Sequence, residues 1–244
     1  MPTIVTPTEI EDAYFSGDLV ADASEAMPGF AKGSGAAPPD RTEWPAVTIG
    51  RPQCWDLAKL VATKGTKLPA EIRLLCNTSD FHLLQLACSF RAKPGTEVDW
   101  ARFEVALRLA DEHAPAIAFD IYPREVTTRI ERDANLTFSP SLKFAGVEAS
   151  VGSLSADITM AKIEPSVIAY GLMESTPAWD FTTHPQAPLI GIRFGYIIVQ
   201  QPKGSGSLTI DLRIVANVKG SRGIFRAASR TESGQSLSVV ACEG

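Results

Sequence analysis

The sequence predicts an all-β protein: an antiparallel β-sandwich with a short helical lead-in and a flexible N-terminal arm. Apolar residues recur at every second position across 98–109, 190–198 and 208–218, the mark of strands with one buried face. No sustained helical period separates these stretches, so the crossovers of a parallel βαβ fold have nothing to be built from. A chain of 244 residues, 45% hydrophobic and 21% charged, can bury a sizeable core without a disulfide or metal staple. The expected organisation is an acidic arm over 1–50, a helical lead-in over 51–70 and the sandwich domain over 71–244.

Taken in order, the arm is interrupted by Pro2, Pro7, Pro28, Pro38, Pro39 and Pro45, and 29–40 is mostly Gly, Ser, Ala and Pro. Such a segment buries little. A short helix is expected over 8–15, with Thr8 as cap and Glu9, Glu11 and Asp12 at its positive end. A second is expected over 56–63, ending before Gly65. From Glu71 the period becomes two. The stretch 81–92 is apolar on both faces, as a central strand requires. In 98–109, Ala101, Phe103, Val105, Leu107 and Leu109 share one face, and Trp100, Arg102, Glu104 and Arg108 share the other.

Further extended segments are expected at 117–122, 125–131, 135–138, 148–160 and 166–171. Near the C-terminus, Ile190, Ile192, Phe194, Tyr196 and Ile198 align on one strand face. Leu208, Ile210, Leu212, Ile214, Ala216 and Val218 align on another. With a Gly/Ser loop between them, the two read as an antiparallel hairpin, and 236–241 is expected to close the sheet.

The net charge of −5 is unevenly spread. Glu9, Glu11, Asp12, Asp18, Asp22 and Glu25 lie within the first 31 residues, where there is no Lys or Arg; beyond them the chain is close to neutral. Nucleic-acid binding, which wants a basic excess, is not expected. No apolar run reaches the length of a membrane-spanning helix, and the N-terminus lacks a secretory pattern, so a cytoplasmic location is expected. Cys54, Cys76, Cys88 and Cys242 show no metal-ligand spacing and read as buried thiols.

Motifs for chemistry are sparse. There is no GxGxxG, no Walker loop, no nucleophile elbow, no HExxH and no EF-hand. Neither a cofactor nor a metal site is expected. His82, His113 and His184 are the available bases. A hydrolase site assembled around His113 or His184 is the enzymatic alternative to a binding role. A membrane-acting β-rich pore former is a further one, resting on the small and hydroxyl residues of 147–160.

Two features suggest contact with a partner. Arg213, Lys219, Arg222, Arg226 and Arg230 lie between 212 and 231 with no intervening acid. Arg222, Arg226 and Arg230 are spaced by four, hence on one side of the chain; the acidic arm is a natural counterpart. In the proline-fenced stretch 173–188, Trp179 and Phe181 form an aromatic pair suited to an interface or to covering the end of the sandwich. The reading is a non-enzymatic binding or structural module that meets a protein partner or a second copy of itself. Lys219, Arg222, Arg226, Arg230, Trp179 and Phe181 are its contact residues.

Overall fold

A computed structural model describes residues 9–21, 44–63, 67–110, 115–126, 135–138, 142–145, 166–220, 223–229 and 237–242. Alternating apolar residues build two antiparallel sheets that pack face to face, with two helices on the outer side of the first. The chain is an all-β sandwich.

The first sheet is arranged around β5 (Ser79–Arg91). Two short strands, β3 (Ala46–Gly50) and β4 (Gln53–Asp56), pair with successive lengths of the same side of β5. On its other side lies β13 (Gly191–Pro202), followed by β7 (Ile117–Tyr122). The far edge is β1 (Ala13–Asp18), paired with β3.

The second sheet runs β2 (Val20–Ala21), β15 (Gly223–Ala228), β14 (Leu208–Gly220), β6 (Thr96–Leu109), β12 (Ala178–Thr182), β11 (Ser166–Tyr170) and β8 (Glu125–Val126). β16 (Leu237–Cys242) shares one side of β14 with β15. A separate two-stranded ribbon joins β9 (Asn135–Phe138) to β10 (Leu142–Ala145).

The main core lies between the sheets. Val47, Ile49, Leu84, Leu86, Phe90, Ile197 and Val199 meet Phe103, Val105, Trp179, Phe181, Ile210 and Ile214 there. Each fully buried side chain of this kind contributes about 1.5–3 kcal/mol. A second, smaller core forms on the outer face of the first sheet. Phe81, Leu83, Tyr196 and Ile198 are covered by Leu57 and Val61 of α1 (Leu57–Thr63) and Ile72 of α2 (Ala70–Leu75). Burial on both sides explains why 81–92 carries no polar face. Asp56 starts α1 by accepting a hydrogen bond from the backbone N–H of Lys59 at 2.8 Å, the expected cap geometry.

Several expectations need correction. The two strands at 190–218 are not a hairpin: β13 pairs with β5 and β7, and β14 pairs with β6, β15 and β16. The turn between them, with Gly204 and Gly206 at φ 74° and 84°, carries the chain from one sheet to the other. The face of β13 chosen from the sequence, that of Phe194, Tyr196 and Ile198, packs under the helices, while Ile197 and Val199 face the sandwich.

The stretch 13–18 is a strand rather than part of a helix, and β1 to β4 bring chain from before residue 71 into the sheets. Part of 173–188 is strand β12, inserted between β6 and β11. Cys54 is disulfide-bonded, whereas Cys76 and Cys88 are free thiols. The stretch 147–160, on which the pore-former reading rests, lies outside the described residues.

Candidate functional site

The outer face of the second sheet carries the polar chemistry that the core excludes. On β6 it reads Trp100, Arg102, Glu104, Ala106 and Arg108; their neighbours on β14 are Asn217, Val215, Arg213, Asp211 and Thr209. On the other side of β6, β12 places Thr182, Asp180 and Ala178 beside Trp100, Arg102 and Glu104. Beyond that, β11 sets Ser166, Ile168 and Tyr170 against Thr182, Asp180 and Ala178.

Across these strands a row of arginines and aromatics forms. The Arg226 guanidinium lies 4.7 Å from the centre of the Trp100 ring. Arg102 lies 5.5 Å from the Trp100 ring and 5.5 Å from that of Tyr170. Arg102 also grips Asp180 with two hydrogen bonds, from Nε at 2.6 Å and from a terminal nitrogen at 2.8 Å. This fork-to-fork geometry fixes the guanidinium plane. The hydrogen bond to Asp180 raises the Arg102 pKa, outweighing the opposing effect of burial.

Next to this row a groove of about 470 Å³ opens. It is lined by the small residues Ala106, Ala178 and Gly171 and by long polar side chains, Arg102, Glu104, Arg108, Glu174, Asp211 and Arg213, with Tyr170 beside them. The segment after β11 forms one wall because it continues the pairing along β6. Val105 N–H donates to the Pro177 carbonyl and Leu107 N–H to that of Ser175. Arg108 is hydrogen-bonded to Asp211, and Arg213 lies 3.6 Å from Glu104.

At the flank of the same face, Ile168, Tyr170, Leu172 and Met173 are exposed by 43, 46, 43 and 54%. Four large apolar side chains within six residues form a patch of the kind that usually meets a partner.

The residues expected to make contacts are placed differently from one another. Lys219 is exposed, and Arg226 is half-buried over Trp100 while donating to the Asn217 side chain at 3.1 Å. Arg222 and Arg230 lie outside the described residues. Trp179 and Phe181 are 1% and 4% exposed and belong to the core. Trp179 stacks on Phe103 and donates its indole N–H to the Pro123 carbonyl at 3.1 Å; Phe181 packs edge-on against Phe90. The proline fencing concealed a strand whose inward positions these two occupy.

Of the acidic arm, Asp12 pairs with Arg51 and Asp18 with Lys93, while Asp22 and Glu25 lie outside the described residues. The arm meets the basic stretch by backbone, through β2 on β15. Tyr170 and Arg102 were missed as a pair. Alternation along β6 already put Trp100, Arg102 and Glu104 on one face, but a single strand's rhythm does not reveal what its neighbours add.

Among the histidines, His184 Nδ1 accepts a hydrogen bond from the Gln186 backbone within a tight turn, and His113 lies outside the described residues. His82, on β5 under the helices, has a lowered pKa because burial outweighs the attraction of Asp56 and Asp80. The Cys88 thiol is pushed up to about 12 by complete burial, despite Arg193 nearby. Among the described residues no group of three His, Cys, Asp or Glu side chains stands ready to hold a metal ion, and no helix is long and apolar enough to cross a membrane.

No protein-family model and no curated protein matches the sequence. Among solved structures, the Clostridium perfringens delta-toxin is similar with a TM-score of 0.28 and 8% identity, over 80% of this chain and 88% of that one.

Proposed function

We propose that this chain is a non-enzymatic β-sandwich module that acts through protein contacts, with a second copy of itself as first partner. The observation that carries the reading is the exposed run Ile168, Tyr170, Leu172 and Met173 on the flank of the second sheet. Covering apolar groups grouped in this way removes their surface from water and lowers the free energy. The surroundings favour a like partner: in the adjoining groove, Arg102, Arg108 and Arg213 are balanced by Glu104, Glu174 and Asp211. A surface with both signs interleaved can be self-complementary across a two-fold axis, whereas a single-sign surface repels its copy.

The location belongs to the same reading. A disulfide at Cys54 suits an oxidising compartment, because reducing compartments rarely sustain such bonds; the sequence alone leads to the cytoplasm.

Light scattering on the intact protein and on Leu172→Ser/Met173→Asn tests the contact. Asn is chosen because Met173 has φ 64°, a conformation Asn tolerates better than most residues. The wild type is expected to scatter as a dimer and the double variant as the 26.2 kDa chain. A wild type that stays monomeric at roughly 100 μM, where even weak self-association registers, overturns the reading.

A further inference from the structure

We propose that the groove between Tyr170 and the Arg108–Asp211 pair is a binding site for a neutral carbohydrate. Its volume of about 470 Å³ falls within the range of small-ligand sites, roughly 300–1,000 Å³. Small residues Ala106, Ala178 and Gly171 line it together with long side chains from β6, β11, β14 and the segment after β11.

The chemistry narrows the ligand. Three arginines and three carboxylates line the groove, so a charged ligand gains little net attraction there. Arg108 is already bonded to Asp211, and Arg102 is held by Asp180 beneath it. What these pairs still offer is directional: planar guanidinium groups with donors left over, and carboxylates with acceptors left over, held at fixed positions. Neighbouring hydroxyls on a sugar ring, each both donor and acceptor, match such alternating forks.

Tyr170 supplies the apolar element. Arg102 lies over its ring, yet 46% of the residue remains exposed. A phenol with an open apolar surface and a polar tip can pack against the C–H face of a sugar ring while its hydroxyl stays hydrated. The exposed lining is more apolar than polar, so the ligand needs a C–H surface as well as hydroxyls, and a charged ligand would meet as many like as opposite charges. A neutral polyhydroxylated ring satisfies both the walls and the platform.

The test is an array of neutral glucan, mannan and galactan oligosaccharides, with sialylated and sulfated glycans on the same slide. It is probed with the full chain, with Leu172→Ser/Met173→Asn, and with Tyr170→Ala and Ala106→Gln. Ala106 is half-buried on the outer face, so Gln there fills the trough without entering the core; urea midpoints establish that each variant is folded. At least one neutral glycan is expected to bind, and both groove substitutions are expected to weaken it about tenfold or more, one decade of affinity being about 1.4 kcal/mol.

Tyr170 and the groove also belong to the surface that the proposed self-contact covers, so sugar and second copy compete for it; binding should be at least as strong in Leu172→Ser/Met173→Asn, and failure of self-association and failure of the sugar site therefore give separate signals. Absence of neutral-glycan binding, binding that survives both Tyr170→Ala and Ala106→Gln, or preference for the sulfated and sialylated probes would each overturn the proposal.

Discussion

Gly195 and Trp179 show how closely the two sheets approach. A Cβ on Gly195 would sit 2.7 Å from the Trp179 ring, so the glycine on β13 makes room for an indole reaching across from β12. Gly195→Ala must push the ring or its strand aside, and overpacking of this kind costs about 1–3 kcal/mol. Trp179→Ala removes the ring and leaves a cavity, for about 3–5 kcal/mol. Because both act on one contact, Gly195→Ala combined with Trp179→Ala should destabilise by less than the sum of the two single changes. Urea unfolding of the four proteins checks this, and strict additivity would show that the contact is not shared. Cys88 gives a second prediction at this scale. With its pKa at about 12 it holds almost no thiolate at neutral pH, so a thiol reagent should modify it only after denaturation. Peptide mapping that finds Cys88 modified in the native protein would contradict its burial.

At the level of elements, periodicity revealed which stretches are strands far better than it revealed what they pair with. Strands β6, β13 and β14 stand close to where alternation put them, since burying one face leaves a mark in every second residue, and β5, β7, β11 and β16 stand close to the segments expected to be extended. Pairing leaves no such mark. The strands β13 and β14 both alternate and are joined by a short Gly-containing turn, yet that turn carries the chain between sheets: β13 pairs along its whole length with β5 and β14 with β6. Trp179 and Phe181 were misplaced for a related reason: a five-residue strand between prolines is too short to show a rhythm. The outer-face groove was legible only as the polar half of β6; its other walls come from residues some 70 and 105 positions further along the chain.

The helical layer makes its own prediction through His82. Its Nε2 is buried without a hydrogen-bond partner among the described residues, and its pKa is lowered although Asp56 and Asp80 oppose the shift; Lys59 adds to it. In the unfolded chain the imidazole takes a proton near its ordinary value of 6.5, while the folded protein resists it. The unfolded state therefore binds more protons as pH falls, and stability is lost from about pH 6.5 downward through the folded-state pKa. His82→Gln should flatten that part of the stability profile measured by urea midpoints between pH 7.5 and 5. A slope unchanged by the substitution would assign it to other groups.

For the molecule as a whole, the decisive element is the short N-terminal stretch, expected to be part of a free arm. In the structure β1 completes the first sheet on β3 and β2 caps the second on β15, so one stretch of backbone ties both layers together at the same side. Between them Leu19 is fully buried, its N–H donating to the Pro45 carbonyl at 3.0 Å. The acidic side chains that made this region look solvated do face outward: Asp12 and Asp18 pair with Arg51 and Lys93 at the surface. Those exposed pairs are worth only about 0–1 kcal/mol each, so Asp12→Asn and Asp18→Asn should change stability little. Removal of residues 1–21 differs in kind, because it uncovers the site of Leu19 and opens the edges of β3 and β15 to another chain. Losing the Leu19 burial alone forfeits about 1.5–3 kcal/mol; at about 2–4 °C of Tm per kcal/mol for a domain of this size, that is a fall of roughly 3–12 °C. The truncated chain should also form larger species in light scattering, and these should persist when Leu172→Ser/Met173→Asn is added, since they arise at the opened strand edges and not at the apolar flank. A truncated protein that melts with the full chain and scatters as it does would show that the N-terminal strands rest on the sandwich without closing it.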